Sequence, residues 1–552
     1  MALSKKDKEF RTDKTTYVDF KHLEMDRVLT MLFPMLKYDG YGSRLRENRV
    51  WTVDDFLNIF LEHQEWFQGF DTEKEIVYRW IETDLLDLVN RGKPTQTVAA
   101  PRPLHGNTYK FRNAGQCKDY GVSEQIYWML HHARHDRGRA ALEALRAFFF
   151  AGYDITTDQY TNSQHVDVET QALLRLDQQV KQDARESKKP TRFPPLCIGQ
   201  ADLMADDILR LLAYESQIPR SVLVEYLKTL LGFHLAIYHL KLFQLLPDMV
   251  RRRGAHPLCE ACRIDPDTAD VTEKCPYHIA MIVDIGECDN QRMKELAERS
   301  AEYHYQQFIY FIQANFIVKK LDEMAEYMNK KNKEKTKYPS VDTLLELLDT
   351  KYDMERRAYF QRRLATILEQ GDVDDDIDVE IRNIVNMELD EFNTFIEIMM
   401  AYRGEYNRRF ITRCLDSLMF KNRDNGLLAQ SSTNENLRRF VLGSKLLEVL
   451  LQLSVLTREN GRYVTRAIRI EELLDFLRHR YGLHIDRFPE KHASNQNIMD
   501  RRALRLNSAA FKRRLYEIGF YEDLSDAYVT QKIMPRYSIE AVSEAGQAGE
   551  ML

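Results

Sequence analysis

The chain has 552 residues, 44 % of them hydrophobic and 30 % charged, the balance of a soluble globular protein with material for roughly three or four domains. A net charge of −6 exerts no global pull toward nucleic acid or anionic membrane, so such binding has to come from a local patch. Seven cysteines, few and odd in number, exclude a disulfide framework and suit a reducing cytoplasm.

The opening M-A-L-S-K-K-D-K-E-F-R has no apolar core and is not expected to act as a signal peptide. Residues 1–95 read as an N-terminal helical region. T-V-D-D at 52–55 has the form of a capping start before Phe56, Leu57, Ile59, Phe60 and Leu61. A second periodic stretch runs as a predicted helix from Glu73 to Val89 and stops at Asn90 to Gly92. Prolines and glycines make 96–117 a predicted linker.

A helical core is expected over 118–250. In H-H-A-R-H at 131–135, His131 and His135 would share a helix face. Arg134, Arg137 and Arg139 crowd the same stretch with positive charge, so a polar surface is the better reading than a metal site. Residues 153–196 are polar and read as a long surface loop. Helices resume at Ala201, with Asp202, Asp206 and Asp207 in the opening turns, where carboxylates favour the helix dipole. Ser221 to Leu246 is the longest apolar segment. Glu225, Lys228, His234, His239 and Lys241 interrupt it, which predicts a central buried helix, not a membrane span, ended by Pro247.

Residues 251–290 hold the most specific pattern. Cys259 and Cys262 form a C-x-x-C pair, and Cys275 and His278 a C-x-x-H pair twelve residues on. Two tight pairs of soft or borderline ligands match the needs of a tetrahedral zinc ion. Four protein ligands would close the sphere, so the expected zinc knuckle is structural. Cys288 is an alternative to His278, and His256 a weaker one. Cys117, Cys197 and Cys414 are left scattered.

Residues 291–425 read as a further helical region, opened by a helix from Gln291 to Asn329 whose apolar residues recur at helical spacing. The basic tract 330–337 reads as a solvated linker. The aspartates of G-D-V-D-D-D-I-D at 371–378 lack an EF-hand's central glycine and terminal glutamate, so they read as a turn.

Residues 431–540 read as a separate module. A buried helix is expected at Leu437 to Leu456, a turn at Asn460 and Gly461, a short strand R-Y-V-T, and an amphipathic helix Ile470 to Tyr481 closed by Gly482. A last helix carries a stripe of Leu504, Phe511, Leu515 and Ile518 beside Arg501, Arg502, Arg505, Lys512 and Arg513. Tyr528 to Ile533 and Pro535 to Ile539 look like two arms of a hairpin. That order is the order of a winged helix-turn-helix. The basic helix, with Lys532 and Arg536 of the hairpin, would contact DNA phosphates. A disordered tail is expected at 541–552. The fold class is therefore mainly α, a multi-helical body with a small zinc knuckle and a C-terminal winged helix-turn-helix-like module.

No P-loop, dinucleotide-binding, zincin or nucleophile-elbow motif occurs, which disfavours an enzyme. The passages R-A-I-R-I-E-E-L-L-D-F-L-R-H-R-Y-G-L-H-I-D-R-F-P and F-K-R-R-L-Y-E-I-G-F-Y-E-D-L-S-D-A-Y-V-T-Q resemble large proteins of bacterial anti-phage islands, in particular a non-methylase component of the methylation-associated defence system. The resemblance is strongest over about 440 to 540 and weaker before it, and C-E-A-C and C-P-Y-H are compatible with it. It implies an accessory role, in which the protein senses or holds phage DNA while other proteins of the system supply methylase, ATPase and nuclease chemistry. It implies no catalytic residues. The expected partners are double-stranded DNA and those proteins, in the cytoplasm, with structural zinc and no membrane. The competing readings are a scaffold whose winged helix docks a partner, a nuclease with an unrecognised site and, more weakly, a transcription regulator.

Overall fold

The computed structural model describes residues 6–45, 50–161, 166–177, 183–264, 275–286, 290–332, 338–369, 375–430, 437–459, 461–489, 497–521 and 532–540. Cys288, the end of the basic tract from 333, the aspartate loop up to 374, Asn460, the start of the expected hairpin (528–531) and the tail from 541 lie outside the described residues.

The N-terminal part begins with helix α1 (Met25–Lys37) and strand β1 (Ser43–Leu45). Helix α2 (Val53–Glu62) starts at the expected capping box. The Thr52 hydroxyl accepts from the Asp55 N–H, and the Asp55 carboxylate accepts from the Thr52 N–H. The helix expected over 73–89 is shorter. Helix α3 (Lys74–Trp80) passes through a π turn, Ile81–Leu85, into strand β2 (Leu86–Val89). That strand pairs antiparallel with β3 (Thr97–Pro101), so the 96–117 stretch contributes a strand and the buried turn Gly106–Phe111. Gly106 is needed there, because a Cβ would lie 2.4 Å from the Phe150 ring.

Helices α4 (Val122–His132) and α5 (Arg137–Phe149) follow. Helix α4 ends at His132, and His135 has φ +59°, so His131 and His135 do not share a helix face. The region expected as a loop over 153–196 contains the hairpin β4 (Tyr153–Asp154) and β5 (Gln159–Tyr160), helix α6 (Val168–Asp177) and strand β6 (Asp183–Arg185). Long-range contacts hold these pieces. Strand β6 pairs with β1, and buried Asp177 accepts from Lys110 and Asn107.

Helices α7 (Ile198–Leu212) and α8 (Arg220–Arg252) form the centre. In α8, 24 of 33 residues are buried, which makes it a core helix. Its polar interruptions are each satisfied. Lys228 pairs with Asp26 and Glu225, and His239 Nδ1 lies 2.7 Å from the Leu235 carbonyl. Pro247 does not end the helix. A proline costs one helical hydrogen bond and crowds the carbonyl four residues back, but the next turn is anchored by buried Met249 and by Asp248, which accepts from Tyr277 at 2.6 Å.

Beyond α8 come α9 (Pro257–Ile264), strand β7 (Met281–Ile282) and the long helix α10 (Gln291–Asn332). Helix α10 packs along α8, with Phe243 of α8 against Phe308 and Phe311 of α10. Helices α11 (Val341–Leu345) and α14 (Glu391–Leu418) also pack on α10, and α12 (Asp353–Glu369) and α13 (Asp375–Val385) pack on α14.

The last part has hairpin β8 (Leu428–Gln430) and β9 (Arg438–Phe440), helix α15 (Ser444–Ser454), hairpin β10 (Leu456–Glu459) and β11 (Arg462–Thr465), strand β12 (Ile468–Arg469), helix α16 (Ile470–Tyr481), strand β13 (Leu483–His484), helix α17 (Ile498–Glu517) and strand β14 (Lys532–Ile533). The start of the expected 437–456 helix is therefore strand β9, and the helix begins at Ser444. Gly482 closes α16 at φ +74°, and a Cβ there would lie 1.6 Å from the Ile279 carbonyl. That close approach lets β13 run parallel to β7. The segment behind the predicted metal ligands is thereby sewn to the C-terminal part. Lys532 and Ile533 pair with β12, not with 535–539. Among the described residues the two expected hairpin arms do not pair with each other.

Candidate thiol centre and basic helix face

Helix α8 ends where Arg253 turns left-handed at φ +60°. The chain then reverses into α9. His256 caps that helix, its Nδ1 accepting from the Leu258 N–H at 3.1 Å and its carbonyl from the Cys259 N–H at 2.8 Å. Cys259 is buried and Cys262 half-buried, one turn apart on α9. The first pair therefore lies on a helix, and the second forms a turn, with the His278 N–H donating to the Cys275 carbonyl at 3.1 Å.

Around these thiols the helices are clamped by arginines. Arg134 donates to the carbonyl of Cys262 and to Asp202 of α7, 2.6 Å away, and its guanidinium lies 3.9 Å from the Cys262 sulfur. Arg263 of α9 reaches the Leu196 carbonyl at 3.2 Å and Asp342 at 2.9 Å. Cys197, the residue that caps α7, is thereby brought beside α9. Burial pushes the Cys259 thiol up to about 12, with Cys197, Cys262 and Cys275 adding to it and Arg263 opposing. Burial and then Cys197 also raise Cys262. Burial raises Cys197, which Lys241 opposes and Cys275 reinforces. The four thiols thus lie in one another's field.

Burial, then the charges of Arg478 and His278, push His484 of β13 down to about 4. Among the described residues no three His, Cys, Asp or Glu side chains are grouped tightly enough to hold a metal ion. A set of thiols with flanking cations has the donor chemistry of a zinc site.

The three aspartates expected at the start of a helix are not in its first turn. Helix α7 begins at Ile198, and Asp206 and Asp207 sit in its later turns. They belong to a sealed polar chain. Lys241 donates to Gln200 at 2.8 Å, Gln200 donates to His234 Nδ1 at 3.0 Å, and His234 Nε2 lies 3.0 Å from Asp207. Tyr481 donates to Asp207 at 2.7 Å, and Arg480 to Asp206 at 2.7 Å and Asp207 at 2.5 Å. Burial raises the Asp207 carboxyl, but Arg480 and His234 outweigh it and hold it well below the usual range. With His234 and Asp207 both 0 % exposed, this chain is built to join α7, α8 and α16. No substrate reaches it.

The basic helix α17 is fixed by its inner face. Asn497 and Asp500 form its capping box, and Arg292 of α10 pairs with Asp500 at 2.6 Å. Leu504 and Ala503 pack on Met293 and Leu296. Buried Asn507 accepts from the Ile285 N–H and donates to the Val283 and Ile485 carbonyls, each at 2.8 Å. It thereby spans the ends of β7 and β13. This packing turns the opposite face out. Arg501, Arg502, Arg505, Lys512 and Arg513 are all exposed, and among the described residues none of the five pairs with a carboxylate. Ile498, Met499, Leu506 and Tyr516 are exposed among them. Lys532 is exposed as well. Arg514, by contrast, is held by Ser444 at 2.9 Å. Arg536 is also engaged, with Glu448, the Ile518 carbonyl and the Phe520 ring.

No curated protein and no solved structure matches the chain. The family model described as "Methylation-associated defense system protein MAD7" matches residues 5–537. The likeness expected from 440 to 540 therefore extends from one end of the helical body to the other. The chain belongs to the MAD7 family of methylation-associated defence system proteins.

Proposed function

We propose that this protein is a DNA-binding accessory component of its defence system, without catalytic activity of its own. In this reading a helical body stiffened by structural zinc presents α17 to the phosphates of a duplex. Helix α17 takes the part of the recognition helix of a winged-helix-like module, with β12 and β14 as its small sheet. Proteins of the same system bind alongside and supply the chemistry. The observation that carries the reading is the outer face of α17, where five exposed cations lack carboxylate partners among the described residues. A charged side chain without an internal partner is free to replace the counterions of a phosphate backbone.

The test is duplex binding by the full chain as salt is raised. Replacing Arg505, Lys512 and Arg513 by alanine should weaken binding and flatten the logarithmic salt dependence by about 2.7 units, at about 0.9 per phosphate contact. Unchanged binding by a folded triple variant rejects the reading.

One observation favours a second reading, a surface that docks a partner protein. Ile498 is 84 % and Tyr516 61 % exposed on the same face, and aromatic and arginine side chains together favour protein interfaces. That reading expects no DNA affinity at low salt. Co-purification with another protein of the system should then be lost on substitution of Leu506 and Tyr516.

A further inference from the structure

We infer that Cys197 is the fourth ligand of the metal centre, so that Cys197, Cys259, Cys262 and Cys275 bind a zinc-class divalent cation as four thiolates and His278 stays outside. The inference rests on the zinc reading above and changes its ligand set.

Three separate stretches meet here. Cys197 caps α7, Cys259 and Cys262 share one face of α9, and Cys275 opens the turn that follows. Helices α7 and α9 pack together, and Arg263, next to Cys262, binds the carbonyl of Leu196, next to Cys197. His256 is spent on capping α9.

One buried charge points the same way, whereas Arg134 and Arg263 are each already paired with a carboxylate, Asp202 and Asp342. Lys241 is 4 % exposed. Its hydrogen bond goes to the neutral Gln200 amide, and among the described residues no carboxylate pairs with it. A buried ammonium without a counter-charge is costly. A divalent cation on four thiolates carries a net charge of −2. Lys241 beside Cys197, Arg134 beside Cys262 and Arg263 beside Cys259 are placed to offset it, as outer-shell partners of metal sites do. On binding, the four thiols lose their protons to solvent and the sulfurs draw in on the ion.

The experiment uses the full chain loaded with zinc, and then with cobalt as a spectroscopic substitute. We expect one metal per chain and thiolate-to-cobalt charge-transfer absorption of four-thiolate strength. Both should be unchanged in His278→Ala and Cys288→Ser. In Cys197→Ser the absorption should drop to that of three thiolates. Metal retention should weaken by more than the roughly 10–100-fold that outer-shell changes cost. Three-thiolate absorption in the unaltered chain overturns the assignment even where Cys197→Ser does not fold. An unaffected Cys197→Ser protein, with the loss in His278→Ala or Cys288→Ser, also overturns the assignment and leaves zinc at Cys259, Cys262 and Cys275 standing. Failure of the unaltered chain to retain either metal, or retention indifferent to Cys259→Ser, overturns both.

Discussion

Helices α16 and α17 are neighbours in sequence and both rich in arginine, yet their cations have opposite fates. On α16, half-buried Arg480 is paired with Asp206 and Asp207 of α7, and Arg478 is paired with Asp475 and Asp486. On α17, Arg501, Arg502, Arg505, Lys512 and Arg513 face solvent. The difference lies in what the body offers each helix. Helix α16 lies where α7 presents two carboxylates, and the ion pairs lock the C-terminal part to the core. Helix α17 meets the body through Leu504, Phe511, Leu515 and Asn507, which leaves its charges unused. Arginine in the first helix is structural cement, and in the second a surface open to a polyanion.

The sharpest way to break this comparison is to remove Arg480. Arg480→Ala leaves Asp207 buried without its arginine partner, and should destabilise the chain by about 3–5 kcal/mol in denaturant unfolding. A loss as small as that of a surface pair would mean that the α7–α16 network holds nothing together.

Acid should act on the same network. Asp207 is depressed in the folded state, so its contribution is full above the ordinary carboxylate range and is lost as pH falls through its lowered value. Before that, buried histidines titrate. Burial lowers His239 and His304 to about 4, so the unfolded chain binds more protons between about pH 6.5 and 4. Unfolding free energy should fall across that window as the solution is acidified. A flat profile there would contradict the sealed neutral rings.

Arg505→Ala supplies the opposite pole. It should change stability by no more than about 0.5 kcal/mol while weakening duplex binding. The smallest effect is expected at Arg536, which sequence reading grouped with the DNA contacts. Its pairing with Glu448 is worth about 0–1 kcal/mol, and Arg536→Ala should flatten the salt dependence by less than one contact's share, about 0.9 units.

Much of the helical frame was legible from periodicity. The buried helix around Ser221 to Leu246, the long helix from Gln291 and the stop of α16 at Gly482 all follow from local pattern. Short strands were not legible. Residues 86–89 continue an apolar rhythm that suits a helix, and only pairing with β3 makes them extended. The cysteine pairs were visible by spacing. Cys197 was not, because it stands 62 residues from the first of them (259 − 197) and only the packing of α7 on α9 brings it near.

What the sequence alone determined here is whatever a residue settles with neighbours a few positions away. That covers helix-forming rhythm, the capping box at Thr52, the C-x-x-H turn and the one-sided charge of α17. The tertiary structure alone decided which charges are consumed and which remain. The physical reason is that an ion pair is made between side chains hundreds of residues apart, such as Asp207 and Arg480. Such partners are selected by how whole helices pack, which local pattern does not encode.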